Sequence, residues 1–161
     1  MEISFKPVNE KQIRQFVHWH YPPPYDIYNE NPDNAPEIAA YYLEPEINAH
    51  AMTGEDGRLI GICSFGPDGR VPGGSYREDA LDIGLAINPD LTGQGMGHLF
   101  IEAVLNFAWA YFKPNACRVT IAAFNHRARR VWQKAGFEMV ERFGRQSDNR
   151  PFIIYVLKQP A

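Results

Sequence analysis

Hydrophobic positions along the chain recur with two periods, one of two residues and one between three and four. The period of two is typical of β-strands. It predicts strands at residues 2–7, 48–53, 58–65, 80–87, 117–124, 137–143 and 152–157. The longer period is typical of helices and predicts them at residues 10–19, 36–43, 95–112 and 125–135. The resulting order, β-α-α-β-β-β-α-β-α-β-β, predicts a mixed α/β sheet.

Glycine and proline, thirteen of each, mark the loops between these elements. They concentrate in residues 21–36, 66–75 and 88–97, where the fixed φ of proline and the conformational freedom of glycine favour turns. An Asp-Gly pair at residues 56–57 predicts a tight hairpin turn. Asn34 precedes the second predicted helix, so we expect its side chain to cap that helix.

Length and composition restrict the function classes. A chain of 161 residues with 45% hydrophobic and 22% charged residues predicts one globular domain over residues 1–161. A net charge of −3 offers no basic stripe for nucleic acid. We expect no membrane span, because no window of 18 apolar residues is present. Cys63 and Cys117 lie in apolar stretches and no signal peptide is visible, which predicts reduced thiols and a cytoplasmic protein.

The most informative loop is the glycine-rich turn at residues 92–97, which follows a predicted strand and opens the longest predicted helix. Glycine lets the backbone approach a ligand, and a helix N-terminus presents unpaired N–H groups, so the turn suits a phosphate. The alternative is a tight connection only. The G-x-G-x-G spacing of the turn differs from the G-x-G-x-x-G fingerprint of dinucleotide-binding proteins, and the acidic residue of that fingerprint is missing after the next strand. His98 and Leu99 stand where a P-loop has Lys and Ser/Thr. NAD, ATP and GTP are therefore disfavoured.

Two blocks of sequence resemble the GCN5-related N-acetyltransferases (GNAT). The block DIGLAINPDLTGQGMG at residues 82–97 is similar to the family's strand and pyrophosphate-binding turn, usually Arg/Gln-x-x-Gly-x-Gly/Ala. The block NHRARRVWQKAGF at residues 125–137 is similar to the family's Asn-x-x-Ala-x-x-Leu-Tyr-x-Lys-x-Gly-Phe pattern. The resemblance implies a GNAT-like α/β fold, with a mostly antiparallel sheet of about six to seven strands and about four helices.

The same resemblance implies acetyl-CoA as co-substrate. In that family, backbone groups of the strand bind the pantetheine arm, the turn binds the pyrophosphate, and an Asn contacts pantetheine. The cofactor-binding residues it implies are Leu85, Ala86, Ile87, Thr92, Gly93, Gln94, Gly95, Met96, Gly97 and Asn125. Thr92 stands where the family has Arg or Gln, which removes one side-chain contact. Asn125 is also suited to cap a helix, and both roles are compatible.

Two residues are candidates for the chemistry that the resemblance implies. An amine with a pKa of about 10.4 is mostly protonated at neutral pH, so a carboxylate that accepts its proton assists the attack on the thioester. Asp82, on the strand before the turn, is the candidate base, and an ion-paired or solvated aspartate is the alternative. Trp132 replaces the Tyr that protonates the departing thiolate. An indole N–H is a donor without a useful pKa, which leaves the general acid open.

The sequence says least about which residues bind the acceptor amine. The resemblance places the loop around the first two helices at the acceptor site, and an aromatic wall there would suit a cationic or apolar amine. The candidate residues are Trp19, Tyr21, Tyr25 and Tyr28. The alternative is that these rings only pack the loop onto the core. Asp26 and Glu30 are candidates for binding the charge of the amine.

These observations predict an acetyl-CoA-dependent N-acetyltransferase that acts on a primary amine, small or peptide, by direct attack in a ternary complex. Thr92 and Trp132 keep open a non-catalytic acyl-CoA sensor, and a different nucleotide-phosphate enzyme is a further alternative. We expect no metal, because His98 and Glu102 are two possible ligands without a third. We expect a monomer or homodimer, since exposed strand edges can pair between chains.

Overall fold

The stretches with a period of two form strands in the predicted order. The computed structural model describes residues 2–159. The strands are β1 (Ser4–Pro7), β2 (Ala49–Thr53), β3 (Leu59–Phe65), β4 (Leu81–Ile87), β5 (Ala116–Ala122), β6 (Glu138–Gly144) and β7 (Pro151–Lys158). They form one seven-stranded sheet of order β1-β2-β3-β4-β5-β7-β6. The described pairings are antiparallel except for β4 with β5, which confirms the predicted mixed, mostly antiparallel sheet.

The stretches with the longer period form helices. They are α1 (Glu10–Phe16), α2 (Ala35–Tyr42), α3 (Gly97–Phe112) and α4 (His126–Lys134). A capping box of Asn9 and Gln12 begins α1. The helix α3 ends at Phe112 and is followed by Lys113, whose φ of 50° is left-handed and which directly precedes a proline. Gly136, at a φ of 106°, follows α4 in the position where glycine is favoured.

The loops contain short 3₁₀ turns that the periodicity did not predict. They lie at Tyr25–Tyr28, Pro32–Asn34, Pro45–Ile47, Pro67–Gly69 and Pro89–Leu91. Proline is favoured at the first position of such turns because its φ is already suitable. The prediction that the Asn34 side chain caps α2 is wrong. The 3₁₀ turn that ends at Asn34 continues directly into α2, so the preceding backbone takes the place of a side-chain cap.

The chain forms two compact units. The first comprises residues 2–64 and 85–95. Its core lies between α1, α2 and the first strands, and includes Ile13, Val17, Ala39, Ala51 and Ile62. The hairpin between β2 and β3 turns at Gly57, which has the left-handed φ of 81° expected of an Asp-Gly turn.

The second unit comprises residues 65–84 and 96–159. Ala116, Ile154 and Val156 form a core cluster across β5 and β7. Phe65 packs against the aromatic rings of α3, with its ring centroid 5.5 Å from that of Phe107. The strand β4 thus contributes its first half to the second unit and its last residues to the first unit. One domain over residues 1–161 stays a prediction.

No helix in residues 2–159 is both long enough and apolar enough to cross a membrane.

Candidate active site

The glycine-rich turn has the geometry of an anion cradle. Gly93 and Gly95 have φ values of 71° and 74°, in the left-handed region that glycine adopts without strain. A Cβ added at Gly95 would meet no atom within 4 Å, so the backbone there is open to a ligand. Met96 precedes α3 without a side-chain cap. Within the described residues, no protein acceptor is recorded for the N–H groups of residues 93–97, so these donors fit a phosphate.

The polar side chains of the glycine-rich turn are hydrogen-bonded to the 3₁₀ turn that precedes it. The Thr92 hydroxyl donates to the Pro89 carbonyl at 2.9 Å, and the Gln94 side-chain amide donates to the Asp90 carbonyl at 2.5 Å. The hydroxyl proton of Thr92 is therefore already used, and the turn offers a ligand mainly its backbone. This accounts for how Thr92 fits a position where the resemblance implies Arg or Gln.

The end of β4 leads into this turn and is fixed within the first unit. The hydroxyl of Tyr21 donates to the Ile87 carbonyl at 2.6 Å. A Cβ on Gly61 of β3 would lie 2.8 Å from the Ala86 carbonyl oxygen, so glycine is needed for this close approach. The pairing of β4 with β5 covers two residue pairs, at Leu81 and Asp82 of β4. A contact of Leu85, Ala86 or Ile87 with pantetheine stays a prediction.

Asp82 lies in a buried ion-pair network. Its side chain is 2% exposed, as is that of Arg118. The Nε and Nη2 atoms of Arg118 donate to the two carboxylate oxygens at 2.7 and 2.8 Å, and Nε of the half-exposed Arg70 donates at 2.8 Å. The carboxylate therefore accepts three charge-assisted hydrogen bonds. This geometry favours the ion-paired alternative, and the role of Asp82 as a base stays a prediction.

Tyr76 completes the network from the loop between β3 and β4. The guanidinium carbons of Arg70 and Arg118 lie 5.5 and 5.0 Å from the centre of its ring. Its hydroxyl accepts from the Val71 N–H at 2.8 Å and is 2.8 Å from Thr120 Oγ1. Burial raises the pKa of Tyr76, and the hydrogen bonds to Asp82 raise the pKa of Arg118. The phenol stays neutral and the guanidinium stays charged.

The other predicted catalytic residue, Trp132, is part of a packed core. It is 5% exposed, and its ring meets that of Phe137 edge to face at 5.1 Å. Asn125 accepts from the Ala128 N–H at 3.1 Å, which confirms the helix-capping role. A contact of Asn125 with pantetheine and a catalytic role for Trp132 stay predictions.

The four aromatic candidates for the acceptor wall differ in exposure. Trp19 is buried and meets Phe16 edge to face at 5.4 Å, as the packing alternative expected. Tyr21 is also buried, with its backbone N–H donating to Asn29 at 2.7 Å. Tyr25 is half-buried and Tyr28 is exposed, both on one 3₁₀ turn. The structure thus leaves Tyr25 and Tyr28 accessible to a ligand.

The sequence did not identify the residues that contact the candidate site from distant parts of the chain. Arg70, Tyr76 and Arg118 all meet near Asp82. Arg129 of α4 donates from Nε to the Tyr155 hydroxyl at 2.8 Å and from Nη1 to a backbone carbonyl. The one signal in the sequence was an aspartate inside an otherwise apolar strand, which requires a buried partner.

Comparison with known proteins identifies the class. A family model described as an acetyltransferase (GNAT) domain matches residues 4–138. The chain therefore belongs to the GNAT acetyltransferase family. A search among curated proteins finds no match to its sequence.

Solved structures with the same fold include bacterial polyamine enzymes. A chimera of the spermidine N-acetyltransferase SpeG from Vibrio cholerae and hSSAT superposes with a TM-score of 0.76 at 13% identity, covering 98% of this chain and 96% of that chain. The Vibrio cholerae enzyme in complex with CoA and spermine gives a TM-score of 0.69 at 13% identity, covering 98% and 95%. A dodecameric structure of the Vibrio cholerae spermidine N-acetyltransferase in an intermediate state gives a TM-score of 0.68 at 13% identity, covering 98% of this chain and 94% of that chain. At such identities, these similarities establish a shared fold.

Proposed function

We propose that this protein transfers the acetyl group of acetyl-CoA to a primary amine by direct attack in a ternary complex. The observation that carries the proposal is the glycine-rich turn at residues 92–97. Two glycines in left-handed conformation lie before α3, which has no side-chain cap, and the N–H groups of residues 93–97 have no acceptor among the described residues. In a GNAT domain, such a turn is the place for the pyrophosphate of the co-substrate.

Acetyl-CoA supplies an activated thioester when bound. The backbone of residues 93–97 would hold its pyrophosphate, because N–H donors at a helix N-terminus favour an anion. Leu85, Ala86, Ile87 and Asn125 remain the proposed contacts to the pantetheine arm. We assign no side chain to proton removal, because Asp82 already accepts from Arg70 and Arg118.

The charge of residues 15–57, one segment of the first unit, supports a cationic acceptor. Residues 15–57 contain eight Asp and Glu residues and no Lys or Arg, although the whole chain has 16 basic residues. A field of one sign attracts an ammonium group. The Vibrio cholerae enzyme of the same fold was solved with spermine. We therefore propose a small cationic amine as acceptor, with Tyr25 and Tyr28 as the accessible aromatic rings beside it.

Ligand-dependent thermal stability tests the co-substrate. We expect acetyl-CoA and CoA to raise the melting temperature, and ATP and NAD to leave it unchanged. Binding at 100 Kd stabilises the native state by about 2.7 kcal/mol, which a thermal scan detects readily. Gly95→Glu, which places bulk and negative charge in the open turn, should abolish the shift.

Gly57→Glu is the matched control, because Gly57 also has a left-handed φ and open space around its Cβ position. It carries the same backbone strain away from the turn, so its shift with CoA should equal that of the wild type. No shift of the wild type with millimolar acetyl-CoA would refute the co-substrate. Release of free thiol with spermidine, spermine or a lysine peptide then identifies the acceptor.

A non-catalytic acyl-CoA sensor is the second candidate. The burial of Trp132, at the position where the resemblance implies a proton-donating Tyr, favours it. A sensor binds CoA but releases no thiol with any amine of the panel, whereas an enzyme does both.

A further inference from the structure

Asn88 is a buried amide at the junction of β4 and the glycine-rich turn. It is 6% exposed, and the other buried polar or charged residues among those described are His50, Ser64, Asp82 and Arg118. Burying an amide is costly unless both of its ends are hydrogen-bonded. Its Nδ2 donates to the Leu59 carbonyl at 3.1 Å, and its Oδ1 accepts from the Asp90 N–H at 3.0 Å. The side chain therefore connects β3 to the 3₁₀ turn Pro89–Leu91.

The backbone of Asn88 makes the same connection a second time. Its N–H donates to the Ile60 carbonyl at 2.8 Å, and its carbonyl accepts from the Leu91 N–H at 2.8 Å. Asn88 thus makes four hydrogen bonds, two from its side chain and two from its backbone. Two of them anchor it to β3, and two determine where the 3₁₀ turn begins.

The glycine-rich turn is hydrogen-bonded to this 3₁₀ turn. The carbonyl of Pro89 accepts from the hydroxyl and the N–H of Thr92, at 2.9 and 3.3 Å. The carbonyl of Asp90 accepts from the Gln94 side chain. A continuous series of hydrogen bonds therefore runs from β3 through Asn88 to the residues that precede α3. A second side-chain contact reaches the 3₁₀ turn at its exposed side, where Nη2 of Arg58, the residue before β3, donates to Asp90 Oδ2 at 3.3 Å.

We propose that Asn88 is a positioning residue for the co-substrate, whose side-chain amide fixes the direction of the N–H groups of Gly93, Gln94 and Gly95. The inference rests on the proposed acetyl-CoA function. Donors that are already aligned bind an anion without reorganisation, whereas a displaced turn loses that alignment. The effect of losing the amide should therefore appear in the affinity for CoA and not in the chemical step.

Isothermal titration with CoA tests this role. Asn88→Ala removes both side-chain bonds. Asn88→Asp keeps the acceptor for the Asp90 N–H but places an oxygen against the Leu59 carbonyl. We expect the Kd for CoA to rise about tenfold or more in Asn88→Ala and by a smaller factor in Asn88→Asp, at temperatures where both are folded. With an amine identified, the KM for acetyl-CoA should rise while kcat stays within about twofold.

Asn31 provides a matched control. It begins a second Asn-Pro-Asp sequence, its Oδ1 accepts from the Asp33 N–H at 3.0 Å, and it is exposed. Asn31→Ala should leave the Kd for CoA within about twofold of the wild type. Where Asn88→Ala does not fold, Thr92→Val interrupts the next bond of the series near the surface and should also weaken CoA binding.

The outcomes separate the two proposals. Wild-type affinity for CoA in folded Asn88→Asp and Thr92→Val overturns the positioning role and leaves the proposed function intact. If the Asn88 variants have a lower melting temperature but an unchanged Kd for CoA, Asn88 only supports the fold, and this result also overturns the positioning role. A wild-type protein that does not bind CoA overturns the proposed function, and the role of Asn88 with it.

Discussion

Replacing Asp82 by Asn keeps the shape of the side chain and removes its charge. The buried Arg118 guanidinium then faces a neutral amide instead of a carboxylate, and Arg70 loses the same partner. Arg118 retains its hydrogen bond to the Glu78 carbonyl at 3.0 Å and its position over the Tyr76 ring. These contacts are weak compensation for a charge that is 2% exposed to solvent.

The size of the effect follows from burial. Removing one partner of a buried ion pair typically costs about 3–5 kcal/mol, because the remaining charge is left uncompensated. For a chain of this length, each kcal/mol lowers the melting temperature by about 2–4 °C, so we expect a decrease of about 6–20 °C. Adding Arg118→Met to Asp82→Asn removes the stranded charge and should recover most of the loss.

Urea unfolding followed by circular dichroism measures these differences. Asp148→Asn is the control, since Arg145 donates to both Asp148 oxygens with similar geometry, but at the surface. Solvent screens that pair, so its loss should be much smaller than that of Asp82→Asn. An Asp82→Asn protein that is as stable as Asp148→Asn, with acetyl transfer lost, would contradict the ion-pair role and support Asp82 as the base.

Three further predictions concern buried groups. Tyr21→Phe leaves the Ile87 carbonyl without its hydroxyl donor and should lower the free energy of unfolding in urea by about 1 kcal/mol; an unchanged value would contradict that bond. Burial raises the pKa of Cys117 to about 12, and it also raises that of Cys63. Both thiols should therefore react with a disulfide reagent at pH 8 only on unfolding. Because the folded pKa of Cys117 exceeds the unfolded value of 9.0, its stabilising contribution is complete below pH 9 and lost as the pH rises towards 12. Rapid labelling of the native protein, or stability that increases over this range, would contradict the burial.

The order of the elements was predictable because each one is long enough to show its own period. The 3₁₀ turns were not, since three residues are too few for a periodic pattern. The turn at residues 92–97 was predictable for the same local reason: its glycines directly follow a strand and precede a helix.

The environment of the site depends on contacts between residues far apart in sequence. Asp82 is opposite Arg118 because of the parallel register of β4 and β5, which periodicity does not determine. The neighbourhood of Asn88 likewise depends on how β3 lies beside the end of β4. For Trp19 and Tyr21 the sequence left open an acceptor wall or packing onto the core, and the structure buries both.

The two cores also differ in their natural fluorophores. Trp19 is buried in the first unit at 9% exposure, and Trp132 in the second at 5%. A buried indole emits at shorter wavelength than a solvated one, so the emission of each residue changes when its own surroundings open. With Trp109 replaced by Phe, a variant that keeps only Trp19 or only Trp132 therefore records the loss of one core at a time, without any added label.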